Sequence, residues 1–362
     1  MEARGSPGRH GTFTGMSEEH STGSAVMRVR VVIPCRNERA YIGACLRSLV
    51  DADRSGINVE VLVCDGMSDD GTRYEVAAFI RTDPWIKLVD NPQRTTPQAM
   101  NIGLRPPGYD VGIILGAHAE VDRDFLRNNL EVLRTHPEVG CAGGVIENVH
   151  MDAVSGMIGA AMGHPFGVGN AHFRTGAEDG YVDTVAFGAY RREVFERVGF
   201  FDERLVRNQD DEFNYRVIKG GYRIWLSNSV RSKYYVRGSY GKLFRQYRQY
   251  GYWKVYVNRL HRTVTTLRQL VPALFVAGTA GGGCMVAVWP VLLPVWLIGI
   301  GAYLAVAVAY AARAAATLAQ APGVLLAFFI LHTAYGIGYI QGIGQFLLLQ
   351  QEPRSSASNL TR

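Results

Sequence analysis

Hydrophobic and polar positions change their spacing several times along this chain, and the changes divide it. Residues 1–26 are rich in Gly, Ser and charge with no apolar run, which predicts a disordered tail and no signal peptide. From Met27 short β-branched runs alternate with helical patterns. "VRVVIP" reads as a strand stopped by Pro34, and "RAYIGACLRSLVDA" sets Ile42, Cys45, Leu46 and Leu49 on one helical face. "VEVLVCDG" is a second strand, "TRYEVAAFIR" a helix and "WIKLVDN" a third strand. "TPQAMNIGL" opens another helix with Pro97 in its first turn, and "VGIILGAH" is a fourth strand. Such alternation predicts an α/β domain with a mainly parallel sheet, whose ligands bind beyond the carboxyl ends of the strands. Polar residues gather there: Arg36, Asn37 and Glu38 after the first strand, Asp65 to Asp70 after the second, His118 to Asp122 after the fourth.

The last third follows another pattern. Between Arg268 and Arg313 lie 44 residues without Asp, Glu, Lys or Arg, and between Arg313 and Glu352 another 38. A bilayer core takes about 20 apolar residues per helix, so residues 269–350 are expected to form about three transmembrane helices. An odd number of spans would leave the tail, 351–362, on the side opposite the preceding domain.

Charge sharpens that reading. The net charge of +6 would suit nucleic acid, but no recognition-module signature accompanies it. The basic residues lead instead into the first apolar run: Arg231, Lys233, Arg237, Lys242, Arg245, Arg248, Lys254, Arg259, Arg262 and Arg268. This is the positive-inside pattern, which predicts a multi-pass protein of the cell membrane with its catalytic domain cytoplasmic. Tyr and Trp interleave with these cations, as in a segment resting on anionic headgroups. The five cysteines form no CxxC pair and lie mostly in apolar runs, so they are expected to be reduced core residues.

The polar strand ends fall into a known order. "VVIPCRNERAYIGACLRSL" followed by "VEVLVCDGMSDDGT" resembles the opening of family 2 glycosyltransferases, with their "IPxxNE" and "DDGSxDGT" elements; Cys64 stands for one Asp. With "RTTPQAMNIGL" and later stretches the resemblance covers residues 28 to about 260. It implies the GT-A fold of nucleotide-diphospho-sugar transferases over 27–260. Within it 27–125 would be the nucleotide-sugar half, 126–230 the acceptor half and 231–268 a basic, aromatic interfacial segment that overlaps the domain's end.

The resemblance also implies a site. Glu38 and Asp65 fall on the positions that meet the donor's base and ribose, where carboxylates accept hydrogen bonds, and Pro34 and Asn37 are further substrate-binding candidates of the first motif. A helix cap at Asp65 and a surface charge at Glu38 would look the same. Arg94, Asn101 and the helix start after Thr96 suit a diphosphate, which needs positive charge or N–H donors. The family's DxD motif, which holds Mg²⁺ or Mn²⁺, corresponds to "GAHAEVD". Succinoglycan-type transferases read Asp-Ala-His there, and here Gly116 replaces the Asp. His118 and Glu120 remain as candidate ligands for a divalent metal, His favouring Mn²⁺ over Mg²⁺.

Further on, "VAFGAYRREVFERVGFFDERLVRNQDDEFNYRVIKGGYRIW" resembles the acceptor half and contains Gly188. Its "NQDDEFNYR" matches the family's "ED" segment with Gln209 for Glu, so Asp210 aligns with the catalytic base, beside Asp211 and Glu212. Like charges raise a carboxylate's basicity toward the working pH, though acids at a helix start also simply suit the dipole. "FRQYRQYGYWK" matches a QxxRW segment at Gln246, while Gln249 and Tyr250 replace Arg and Trp, which argues against a processive synthase. The expected activity is inverting transfer from a nucleotide-sugar donor to a lipid-linked or membrane-bound acceptor. A catalytically impaired, membrane-anchored nucleotide-sugar-binding protein is the alternative that Gly116 supports. A dinucleotide oxidoreductase is argued against, since the first strand leads to "PCRNER" and not to a GxGxxG turn.

Overall fold

A computed structural model describes residues 26–353 except 170, 177, 237 and 266. The expected tails therefore lie almost wholly outside the described residues, as does Arg237.

The elements expected from 27 to 114 form where the pattern put them: β1 (Met27–Cys35), α1 (Arg39–Val50), β2 (Ile57–Asp65), α2 (Thr72–Thr82), β3 (Ile86–Asp90), α3 (Thr96–Leu104) and β4 (Val111–Ile114). Ile42, Cys45, Leu46 and Leu49 are the buried face of α1. β3, β2, β1 and β4 pair in that order, all parallel. There follow β5 (Ala119–Val121), α4 (Phe125–Thr135), β6 (Val139–Val149), α5 (Ala153–Met162), α6 (Pro165–Val168), α7 (His172–Thr175), β7 (Gly180–Val182), β8 (Ala186–Arg191), α8 (Arg192–Val198), α9 (Gln209–Lys219) and β9 (Arg223–Tyr235). In this half β8 joins β4 and β6 antiparallel, β6 and β9 are parallel, and β5 and β7 pair antiparallel with β9. The result is one mixed sheet with its parallel part on the side of the expected donor half.

Strand alternation explains the layers. Val29, Val31 and Ile33 point to one face of β1 and pack with α1 and α4. Val32 points to the other and packs with α3, α8 and α9 through Met100, Phe195 and Phe213. Each such fully buried side chain contributes about 1.5–3 kcal/mol, so the two faces fix the strand register and hence the loops at the carboxyl ends. Cys35, Cys45, Cys64 and Cys141 are free and buried in these layers, whereas Cys284 is exposed.

Beyond the sheet run α10 (Tyr240–His261), α11 (Val271–Val288), α12 (Leu293–Ala314) and α13 (Ala321–Gly342). Three segments, Leu267–Val288, Pro290–Ala314 and Leu318–Leu348, are long and apolar enough to be candidate membrane spans. α5 and the start of α10 share a core with α13 through Ile158, Leu243, Phe328 and Leu331, which fastens the membrane part to the α/β domain.

Candidate active site

The carboxyl ends of β1 and β4, the start of α3 and the start of α9 open onto one cavity of about 810 Å³. The chain builds this rim by stapling one turn to another. After β1, the N–H groups of Asn37, Glu38 and Arg39 donate to Ser68 Oγ, Thr72 Oγ1 and Asp70 at 2.8, 2.9 and 3.1 Å. The Asp69 N–H returns a bond to Asn37 Oδ1 at 3.1 Å. The β1 turn is thereby held against the loop after β2. Glu38 faces the cavity, while the Asn37 amide serves the staple.

The expected residues separate into two sets. Pro34, Glu38, Arg94, His118, Gly188, Asp210, Asp211 and Gln246 line the cavity. Gly188 is fixed by packing, because a Cβ there would sit 2.8 Å from Cys141 Sγ. Asp65, Asn101, Glu212 and Glu120 are turned to internal partners. Asp65 is fully buried and accepts from Ser68 Oγ at 2.5 Å and Arg73 at 2.9 Å. Asn101 donates to the Phe201 carbonyl at 2.9 Å and to Glu203 at 2.8 Å and does not line the cavity. Glu212 pairs with Arg216 at 2.7 Å and meets His261 at 3.0 Å, tying α9 to α10. Glu120 accepts the Tyr235 hydroxyl proton, and this bond pushes the Tyr235 pKa up to about 12.

Asp210 stands in the first turn of α9 on the cavity wall, with its side chain accessible. Desolvation, and next the charge of Asp211, hold its pKa above the ordinary carboxylate range. Such a carboxylate is a better proton acceptor near neutrality. Asp211 is not a second base of the same kind, since the buried ammonium of Lys254 on α10 pairs with it. The departures from QxxRW form a network of their own. Gln246 donates to Tyr250 Oη at 2.8 Å, Arg207 donates to Gln249 at 3.1 Å, and Asn208 donates to the Tyr250 carbonyl at 3.3 Å. The last two bonds hold the turn before Asp210 against α10, and the first lies within α10.

The rest of the wall is mostly apolar but carries several cations and unmatched polar atoms. Among the described residues, ten buried side-chain N or O atoms have no hydrogen-bond partner in the protein, and eight belong to residues lining this cavity. They include Arg36 Nε, Asn91 Oδ1 and Thr95 Oγ1 near the strand ends, Asn208 and Gln209 beside Asp210, and one guanidinium nitrogen of Arg174. Buried polar groups are nearly always matched in folded proteins, so this concentration marks a surface shaped for a polar ligand. Asn91, Arg174 and Arg207 are not marked in the sequence, where Arg36 stands out only as a polar residue after the first strand and Lys254 only as one of the basic residues before the apolar run. Arg36 lies inside the quoted first motif, but the others follow no spacing that announces them.

A metal fits the donor set only in reduced form. No three His, Cys, Asp or Glu side chains among the described residues group as ligands. His118 Nδ1 and Glu38 Oε1 lie 3.8 Å apart on the cavity wall, so two protein ligands and the oxygens of a bound diphosphate would have to make up the shell.

The chain thus has a GT-A-like α/β domain with a cavity at its strand ends and a carboxylate of raised pKa, Asp210, on the cavity wall. Similarity to known proteins agrees. The sequence profile of Glycosyl transferase family 2 matches residues 30–199. The succinoglycan biosynthesis protein ExoA of Rhizobium meliloti (strain 1021) is 30% identical over 328 residues, 90% of this chain and 96% of that protein. A dolichyl N-acetyl-alpha-D-glucosaminyl phosphate 3-beta-D-2,3-diacetamido-2,3-dideoxy-beta-D-glucuronosyltransferase of Methanococcus voltae is 30% identical over 230 residues, 62% and 71% of the two chains. In fold, the chain is similar to the mannosyltransferase PcManGT of Pyrobaculum calidifontis, solved with GDP-Man and Mn²⁺. The TM-score is 0.57 at 22% identity, over 83% and 85% of the chains. This chain belongs to glycosyl transferase family 2 and is a glycosyltransferase.

Proposed function

We propose that the protein transfers a sugar, with inversion at the anomeric carbon, from a nucleoside diphosphate sugar to a lipid-linked acceptor in polysaccharide or glycolipid synthesis. The observation that carries this is the run of unmatched polar atoms along one cavity that begins at the strand ends and continues, past Asp210, to the membrane helices. A soluble acceptor would need no such continuation.

In this reading residues 27–125 serve the donor and 126–230 the acceptor. Glu38 stands at the donor end of the cavity beside His118. Arg36, Arg94 and the start of α3 face the diphosphate, where two guanidinium forks and helix N–H groups offset its charge. Asp210 takes the proton of the acceptor hydroxyl as that oxygen bonds to the anomeric carbon. The bond from that carbon to the phosphate oxygen breaks, and the nucleoside diphosphate leaves with the electron pair. Mn²⁺ would be held by His118 and Glu38, and when bound supplies positive charge beside the leaving diphosphate. The acceptor enters from the membrane end. There Arg174 and Arg268 suit its phosphate, and Phe166, Phe275, Tyr303 and Leu331 line an apolar sleeve for its chain. Arg174 is aimed by the rings of Tyr234 and Phe173, 5.2 and 5.3 Å from its guanidinium carbon. The basic residues of α10 suit a cytoplasmic catalytic domain on a multi-pass protein of the cell membrane.

The test is a screen of the purified full chain in detergent against a panel of nucleotide sugars, reading nucleoside diphosphate release. One donor should give release that rises on adding a lipid-linked sugar. Equal release with a water-soluble sugar would sink the lipid-linked acceptor, and donor binding without release under any condition would favour a binding protein instead.

A further inference from the structure

We infer that only α11 and α12 cross the membrane, and that α13 lies against the catalytic domain with one face on the lipid surface. The chain after α13 then returns to the catalytic side, contrary to the three spans expected from the apolar runs. The inference uses the membrane attachment in the reading above but neither its reaction nor its orientation.

The first observation is what α13 packs on. It runs beside α10, in the same direction, along nearly the whole of both. Tyr240 Oη donates to the Gly323 carbonyl at 3.1 Å at one end. Asn258 Nδ2 donates to Tyr339 Oη at 2.9 Å near the other. Just past α13, Glu352 accepts from Arg259 at 2.8 Å and from Tyr256 at 2.9 Å. Between these points the two backbones touch through glycines. A Cβ at Gly251 would collide with the Tyr335 carbonyl, and one at Gly338 with the Arg248 carbonyl. The two helices therefore share one depth.

The second is what α10 carries. Lys242, Arg245, Arg248, Lys254 and Arg259 all lie on it, and α10 is joined to the catalytic domain through Lys254 and Asp211. Lys and Arg are costly in hydrocarbon, and five on one helix exclude it from the bilayer core. A helix held along it is excluded as well.

The third is the pattern of exposure. The first two candidate spans are 6% buried within the protein, as expected of helices surrounded by lipid, while the third is 44% buried. α13 hides Val324, Ala327, Phe328, Leu331, Ala334 and Tyr339 against protein. Leu326, Phe329 and Ile340, with Leu347 just beyond its end, stay exposed. This apolar stripe on an otherwise protein-covered helix fits one surface, the leaflet next to the catalytic domain. α11 meets α13 near its start, with Pro272 and Val276 against Gly336, and α12 meets it near its end, where Ala311 packs with Val324. The far ends of α11 and α12 join through Trp289 and Val291, both exposed. A hairpin that leaves and returns at the level of α13 needs two spans.

Cysteine labelling of the full chain in membranes tests this. Cys284, the exposed native cysteine among the described residues, is first changed to Ala. Tyr74→Cys, Val291→Cys and Leu349→Cys are then made singly, at positions 84%, 81% and 67% exposed, where folding is not at stake. Each is treated with a membrane-impermeant maleimide in intact cells and in inside-out vesicles. The expected result is labelling of 74 and 349 from one side and of 291 from the other. If 349 labels with 291, α13 crosses and the inference is overturned. If all three label from one side, the hairpin does not span and it is equally overturned. If 74 and 349 label together from outside, the cytoplasmic orientation proposed above falls and the two-span inference stands.

Discussion

Replacing Asp210 by Asn should remove catalysis without removing the fold, and the structure says why both halves hold. Asp210 Oδ1 accepts the Asp211 N–H at 2.9 Å, a bond that the Asn oxygen can keep. Its carboxylate is otherwise disfavoured as an anion, because desolvation and the charge of Asp211 raise its pKa. A carboxylate with a raised folded-state pKa contributes its stability below the unfolded value of about 3.9, and that contribution is lost as pH rises through the folded value. At pH 7 the wild type thus carries an unfavourable charge that Asn does not. The variant should melt at the same temperature or higher. Loss of a general base costs about 10²–10⁴ in rate, or about 2.7–5.4 kcal/mol of activation free energy. Nucleoside diphosphate release under saturating donor should fall by that factor, while donor affinity by calorimetry stays within a few fold. More than about a tenth of wild-type activity, or an affinity loss as large as the rate loss, would refute the assignment of Asp210 as base.

The same raised pKa sets the acidic limb of the rate profile above the range of an ordinary Asp, and Asp211→Asn should move that limb to lower pH; a limb that stays in place would deny Asp211 its part. Gly116→Asp should increase use of Mg²⁺ relative to Mn²⁺ by adding a hard oxygen ligand. The backbone at Gly116 is not in the left-handed region and the new Cβ would meet Phe187 Cε1 at 3.2 Å, a modest adjustment, so an unchanged metal preference in folded protein would count against a metal at this strand end. Lys254→Met should leave the Asp211 carboxylate unpaired beneath the site and reduce stability toward the low end of about 3–5 kcal/mol. Adding Asp211→Asn should recover most of it in denaturant unfolding, and simple additivity of the two losses would show that the pair is not coupled.

How much of this was legible depended on whether a residue's role is local. The strands and helices of the parallel half follow from alternation and helical period, which act over a few residues, and they lead the sequence reader to the right loops. Glu38, Arg94 and Asp210, singled out by the motifs, come together on the wall of one cavity. Which way a polar side chain turns is a tertiary fact. Asp65 and Asn101 sit at equally persuasive positions, yet Arg73 with Ser68, and Phe201 with Glu203, hold them inward. Lys254 read as one more interfacial cation until its burial against Asp211 was seen. If α13 does not cross, as inferred above, the third apolar run illustrates the same point, since hydropathy measures transfer from water and is silent on whether lipid or protein receives the helix.

The departures from the family pattern are connected by charge. A site with its strand-end Asp replaced by Gly116 has fewer anions to hold a metal, and its other carboxylates are engaged: Glu120 by Tyr235, Asp65 by Arg73, Asp211 by Lys254. The cavity is left with Arg36 and Arg94 at the strand ends, Arg207 near the base and Arg174 with Arg268 toward the membrane, against Glu38 and Asp210. Arg268 is itself paired with Asp183 at 2.9 Å, so it contributes a directed donor more than a net charge. This excess of guanidinium over carboxylate matches a pair of ligands that each bring phosphate, one from the strand ends and one from the lipid side. Gln249 accepts from Arg207 and the Tyr250 carbonyl accepts from Asn208, so α10 is bonded to the turn before Asp210, and its Lys254 pairs with Asp211. With α13 laid along that same helix, the contacts that orient the base and those that fix the protein on the membrane meet in α10.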